Sequence, residues 1–95
     1  MNSPRIDLIP WSALYDVIRV LEHGEIKHPG DEWRSMTTYE HIDHMLGHLR
    51  EHVTGNRRDD ESGEYHLAHA IARGLFALAK LKDEPGHIVE VNKKV

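Results

Sequence analysis

The chain has no cysteine, which excludes disulfides and thiolate zinc sites and fits a reducing cytosol. Every apolar run falls far short of the roughly 20 residues of a membrane span. The opening Met1-Asn2-Ser3-Pro4-Arg5 lacks the apolar stretch of a signal peptide. Basic charge is in short supply: 12 Lys and Arg stand against 16 Asp and Glu, a formal net charge of -4. That balance argues against broad nucleic-acid binding, which needs a basic face. There is no glycine-rich phosphate loop of the Walker type, no internal repeat and no low-complexity segment. Ser12 and Ser62 read as helix caps rather than nucleophiles. These absences leave one domain over residues 1–95, with no membrane contact and a cytoplasmic location as the simplest expectation.

What the chain does have is histidine, nine in 95 residues. Most fall in two stretches that read as helix. In the first, His44 and His48 are spaced i and i+4; in the second, His66 and His69 are spaced i and i+3. Either spacing puts two imidazoles on one helix face, about one turn apart. Two such faces brought together can hold a divalent cation, with Glu51, Asp59 and Glu61 as nearby carboxylates. The oxygen donors suit magnesium or manganese, ions that accompany phosphates, while the imidazoles also allow zinc. The structural alternative is a solvated, histidine-rich flank, with Asp59-Asp60-Glu61 as favourable negative charge at a helix N-terminus.

Residues 1–10 read as an extended arm, since Pro4 and Pro10 disfavour helix just before them. A first helix is expected from Trp11 or Ser12, with Ser12 as N-cap, Leu14, Val17, Ile18 and Leu21 as its buried stripe and Gly24 as its stop. Residues 24–36 read as a long loop around Pro29-Gly30, and connections of that length often carry function. Within it, Lys27 and Trp33 either hold a ligand or pack over the core.

Thr37 with Glu40 forms a capping box that opens the second helix. Ile42, Met45, Leu46, Leu49 and Val53 make its apolar stripe, and Gly55 ends it. At about 100° per residue, His41, His44, His48 and His52 form a second stripe beside the apolar one. Residues 55–62 form a charged turn. The third helix is expected from a Ser62 or Asp60 cap, with Leu67, Ala70, Ile71, Gly74, Leu75, Leu78 and Leu81 as its apolar face. Its many alanines allow close helix approach. His66, His69, Arg73 and Lys80 run along its flank. Asp83-Glu84-Pro85-Gly86 closes it, and residues 83–95 read as a tail in which Ile88-Val89-Glu90-Val91 is either a short strand or a docking segment. The fold class is therefore all-α, a small bundle of three amphipathic helices. Three short helices bury little, so a homodimer or homotetramer completing a four-helix arrangement is expected.

The order Arg5-Ile6-Asp7-Leu8-Ile9-Pro10, Gly24-x-x-Lys27, Trp33, His48-Leu49, Gly55, Asp59, Glu61-Ser62-Gly63 and His66-Leu67-Ala68-His69-Ala70 resembles the phage dATP/dGTP diphosphohydrolase family. That family is related to the MazG-like all-α nucleotide pyrophosphohydrolases. The resemblance spans about residues 4–82. It implies metal-dependent cleavage of a purine deoxynucleoside triphosphate to monophosphate and pyrophosphate, shaping a phage nucleotide pool in the host cytoplasm. It also implies Lys27 and Trp33 in the substrate loop and His48, Asp59, Glu61, His66 and His69 in the polar core of the site. In that scheme His44 joins the metal ligands, Glu51, Glu61 or one of the histidines activates water, and Lys27 and Arg73 stabilise the leaving pyrophosphate. The alternatives are a phage-type helical protein that binds a nucleotide or signalling nucleotide without cleaving it, and a structural helical oligomer with an incidental zinc site. Two positions depart from the family pattern: Gly47 replaces a usual arginine, and Arg73 an often-found asparagine. A cation lost at one place and gained at another reads as compensation, as a changed substrate or as lost activity.

Overall fold

The computed structural model describes residues 3–84. It is all-α: helices α1 (Trp11–Lys27), α2 (Thr38–Val53) and α3 (His66–Asp83), with 3-10 turns at Ile6–Leu8 and Glu32–Ser35. Among the described residues there is no strand, only an isolated antiparallel bridge between Arg58 and Tyr65. No described helix is long and apolar enough to cross a membrane.

The start of α2 follows directly from local sequence. The Thr37 side chain accepts the Glu40 N–H at 3.1 Å, and the Glu40 carboxylate accepts the Thr37 N–H at 2.7 Å. Two otherwise unpaired amides are thereby satisfied at the helix entrance. α2 and α3 form an antiparallel hairpin. Thr38 donates to the Glu84 carboxylate at one end, while His48 and His66 meet at the other. α1 packs on a different side of α3, where Val17, Val20, Ala68 and Ala72 form the apolar core, flanked by Leu14 and Leu21. Two ion pairs, Arg19 with Glu64 and Lys27 with Glu61, tie α1 to the segment before α3.

Several expectations are corrected. Ser12 is not the N-cap of α1: the helix begins at Trp11 after Pro10, whose fixed φ leads into the first turn without a side-chain cap. Gly24 does not stop α1, which continues to Lys27. One interior glycine costs only about 1 kcal/mol, and Glu25 and Lys27 are good helix formers. The stop is His28, held out of helical conformation by Pro29. The 24–36 connection accordingly shrinks, and part of it is the Glu32–Ser35 turn; the 1–10 arm likewise contains a 3-10 turn. α3 is capped by Tyr65 rather than Ser62 or Asp60, because a tight turn over residues 59–64 occupies those two.

The largest difference concerns the buried face of α3. Its buried residues include the alanines Ala68, Ala70, Ala72 and Ala77, whereas Leu67, Ile71, Leu75 and Leu78 are each 42–52% exposed. The slim alanine flanks admit α1 and α2 at close range. The larger side chains lie on the remaining face. Leu46 and Val53 of α2 are also exposed. Ile88–Val91 and most of the expected tail lie outside the described residues.

Candidate functional site

The turn between α2 and α3 is built to bring a carboxylate over the start of α3. The Asp59 N–H donates to the Glu64 carbonyl and the Gly63 N–H to the Asp59 carbonyl, each at 2.8 Å. Gly63 takes φ +76°, a conformation that suits glycine. The Asp59 side chain accepts the Ser62 N–H at 2.9 Å and the Glu61 N–H at 3.2 Å. The His66 N–H then donates to the Arg57 carbonyl, which fixes the first residue of α3.

Across from this turn, α2 presents His48. Its Nδ1 stands 2.9 Å from Nδ1 of His66, and its ring stacks on His69 at 4.6 Å and 13°. His48, Asp59 and His66 each offer one donor atom within 4.8 Å of the others. Nitrogen ligands at 2.0–2.1 Å around a tetrahedral ion lie about 3.3 Å apart, so the two imidazoles need open only slightly to share one. His66 is 5% exposed, and its Nε2 is buried without a hydrogen-bond partner among the described residues. Two imidazoles and a carboxylate whose donor atoms converge this closely are a donor set that fits a divalent cation.

The electrostatics agree with that use. Burial, reinforced by His69 and His66, pushes the His48 pKa down to about 4. His48 is therefore neutral near pH 7 with a lone pair available. Burial likewise lowers His69, though Asp59 partly opposes this. Burial raises Asp59, but hydrogen bonds from Ser62 and the nearby imidazoles outweigh it and hold the carboxyl below its usual range.

The remaining expected residues take other places. His69 Nε2 lies 2.7 Å from the Ser62 hydroxyl, which in turn accepts the Glu64 N–H. Glu61 is exposed and paired with Lys27 at 2.6 Å, and that partner lowers its pKa. Glu51 accepts from the Asn56 amide at 2.9 Å. His44 is exposed at the rim. Trp33 stacks on Phe76 at 4.7 Å with the Arg34 guanidinium over its ring at 4.5 Å.

Two cavities meet at the cluster, and both are lined by His44, His48, Asp59 and Glu61. One, about 870 Å³, is rich in carboxylates, adding Asp43, Glu51 and Asp60. The other, about 650 Å³, adds Lys27 and Arg73, the carboxylates Glu25, Asp31 and Glu32, and the apolar Val20, Leu21, Trp33, Met36, Ala72 and Phe76. It thus combines charged groups of both signs with an apolar wall. Sequence reasoning passed over three residues of this region. Ser62 reads as a cap from sequence alone, Phe76 carries no signal there, and His41 shows only as part of a stripe. The one signal for His41 was its place seven residues before His48, two turns along the same face.

The family model described as "dATP/dGTP diphosphohydrolase, N-terminal" matches residues 1–88. A curated protein of Salmonella phage PMBT28, named dATP/dGTP diphosphohydrolase, is 33% identical over 80 residues, covering 84% of this chain. The aligned region spans 28% of that relative's length. No solved structure matches the chain.

Proposed function

The chain belongs to the dATP/dGTP diphosphohydrolase family, and on that premise we propose that it hydrolyses purine deoxynucleoside triphosphates to monophosphate and pyrophosphate. The observation that carries this reading is the convergence of His48, Asp59 and His66 where a carboxylate-lined cavity meets one that holds Lys27 and Arg73 beside an apolar wall. A triphosphate spans such a junction with its charge near Lys27 and Arg73 and its nucleoside against Met36, Phe76 and the edge of Trp33.

His48, Asp59 and His66 would hold the cation, with His44 and Glu61 lining the cavities beside it. When bound, the cation neutralises phosphate charge and acts as a Lewis acid. Two imidazoles with one carboxylate favour manganese or zinc over magnesium, which prefers oxygen donors. His69 supports His48 by stacking, with its own ring held by Ser62. In the reaction, a water oxygen bonds to the α-phosphorus, the bridging P–O bond to the β-phosphate breaks, and pyrophosphate leaves. Glu51 or Glu61 orients that water and takes its proton, both being exposed carboxylates beside the cluster. Lys27 stabilises charge on the departing group, and Arg73 holds the phosphates equally in the bound substrate and in the transition state. A nucleotide-pool role places the protein in the cytoplasm, the host's if it is phage-encoded.

Product analysis by ion-exchange chromatography tests this. With dATP or dGTP and magnesium, manganese or zinc in turn, monophosphate and pyrophosphate are expected in equal amounts. Intact nucleotide recovered stoichiometrically bound would replace this reading with that of a binding protein. That outcome has some structural support, because both candidate bases are engaged, Glu61 by Lys27 and Glu51 by Asn56. The absence of both cleavage and binding would overturn the nucleotide reading altogether.

The exposed Leu67, Ile71, Leu75 and Leu78 further support a homodimer or homotetramer, since they lie on one face of α3. Sedimentation of an Ile71→Glu, Leu75→Glu protein is expected to show monomers where the unaltered chain self-associates. A monomeric unaltered chain would refute the assembly.

A further inference from the structure

His41 is the largest fully buried side chain among the described residues, at 0% exposure. Both of its ring nitrogens are engaged. Nε2 lies 2.9 Å from the Trp33 carbonyl and Nδ1 lies 3.2 Å from an Arg73 Nη. These partners settle the proton. A carbonyl only accepts, so Nε2 carries the hydrogen, and a guanidinium only donates, so Nδ1 is the bare acceptor. The ring is closed in by Phe76 at 5.3 Å and Trp33 at 6.4 Å. The same Arg73 nitrogen contacts the Met36 sulfur at 3.4 Å. Among the described residues the other guanidinium nitrogens make no hydrogen bond, and Arg73 lines the cavity that also holds Lys27 and the apolar wall. One end of the fork is thus anchored, with the rest available to an anion.

We infer that His41 is a positioning residue, which holds the Arg73 guanidinium toward the nucleotide phosphates and ties the Trp33 segment to the same point. The inference rests on the nucleotide reading above. A long arginine side chain carries much rotamer freedom, and fixing it beforehand removes a cost otherwise met on binding. A buried imidazole is suited to the task. It accepts from a cation without adding a competing negative charge, as a carboxylate would. It also links two elements that the sequence separates, the connection before α2 and the middle of α3.

The test uses the full chain with dATP and manganese, comparing KM and kcat. Arg73→Gln is expected to raise KM about 10–100-fold, the range for a lost charge-assisted hydrogen bond. His41→Gln, whose amide reaches toward Trp33 but leaves Arg73 without its acceptor, is expected to raise KM about 5–10-fold with kcat within about threefold. His41→Asn, whose carbonyl falls near the Nδ1 position, is expected to recover most of that loss. The His41→Gln, Arg73→Gln double variant is expected to match Arg73→Gln alone. A merely structural role would instead lower the active fraction, reducing kcat and leaving KM in place.

Ring 1H–15N correlation spectra of the unaltered protein keep the inference falsifiable if the variants fail to fold. The Nε2–H tautomer is expected for His41 at pH 7.5, and an Nδ1–H or charged ring would overturn the link to Arg73. If Arg73→Gln raises KM and His41→Gln does not, the inference fails and the nucleotide reading stands. If Arg73→Gln leaves KM unchanged, or the unaltered protein neither binds nor cleaves dATP, the role assigned to Arg73 fails and takes the inference with it.

Discussion

Asp59→Asn is expected to weaken manganese or zinc binding at least 100-fold and to cut hydrolysis by about three orders of magnitude. The replacement is nearly isosteric. Its carbonyl oxygen still accepts from the Ser62 and Glu61 amides that shape the turn, so the approach to α3 survives. What disappears is the only formal negative charge in the triad of His48, Asp59 and His66. Two neutral imidazoles and an amide are a poor match for a dication facing a triphosphate. Calorimetric titration with each ion, alongside thermal melting to confirm the fold, separates loss of the site from loss of structure. Asp60→Asn provides the comparison, since Asp60 is exposed one residue along, and a change of only a few fold is expected there. Equal ion affinity in Asp59→Asn and the unaltered chain would mean that the ion sits elsewhere.

The metal-free protein is expected to lose roughly 2–3 kcal/mol of stability between pH 7.5 and pH 5, which lowers its melting temperature by about 10–15 °C. His41, His48 and His69 all have pKa values lowered in the fold, mainly by burial, with His48 at about 4. In the unfolded chain these rings titrate near 6.5. Above that pH neither state binds the proton and their contribution is complete. Below it the unfolded chain takes up protons that the fold refuses, so stability falls as pH falls toward 4. The stacked His48–His69 pair sharpens this, because charging one ring beside the other adds repulsion to desolvation. The carboxylates act in a lower window. Asp59, Glu40 and Glu61 have lowered pKa values, so their contribution is present above about 4 and lost only on further acidification. Melting curves at pH 7.5, 6.5, 5.5 and 5.0 check the first window. A melting temperature that stays level across it would show that these rings are not held neutral. Adding manganese or zinc at pH 6.5 is expected to raise the melting temperature, because a cation and a proton compete for the same lone pairs.

Features that depend on neighbours in the chain were legible from sequence. The capping box at Thr37 and Glu40 places the start of α2 because both partners lie within one turn. The periodic histidines at 44 and 48, and at 66 and 69, follow from 3.6 residues per turn. The family resemblance was equally a matter of residues in order, and the match over residues 1–88 agrees with it. Local signals failed where two tendencies of similar size compete. Gly24 was one such case, since the weak breaking tendency of one glycine lost to the helix formers after it.

The site itself needed the third dimension. Spacing alone pairs His44 with His48 and His66 with His69, yet the close nitrogens are those of His48 and His66, one from each helix. His69 turns instead to Ser62, and His44 remains exposed. Which member of each pair brings a ring nitrogen to the other helix depends on the rotation and offset of α2 against α3. Those are set by the close approach that alanines and glycine permit, with a Cβ at Gly74 falling 3.4 Å from the Met45 sulfur. The link from Trp33 through His41 to Arg73 has the same origin, joining residues 8 and 32 positions apart. Sequence determined the helices and the chemistry they carry, because both are local. Tertiary packing alone decided which side chains meet, because hydrogen bonds and metal sites need approach to within about 3 Å, and only the docked helices provide it.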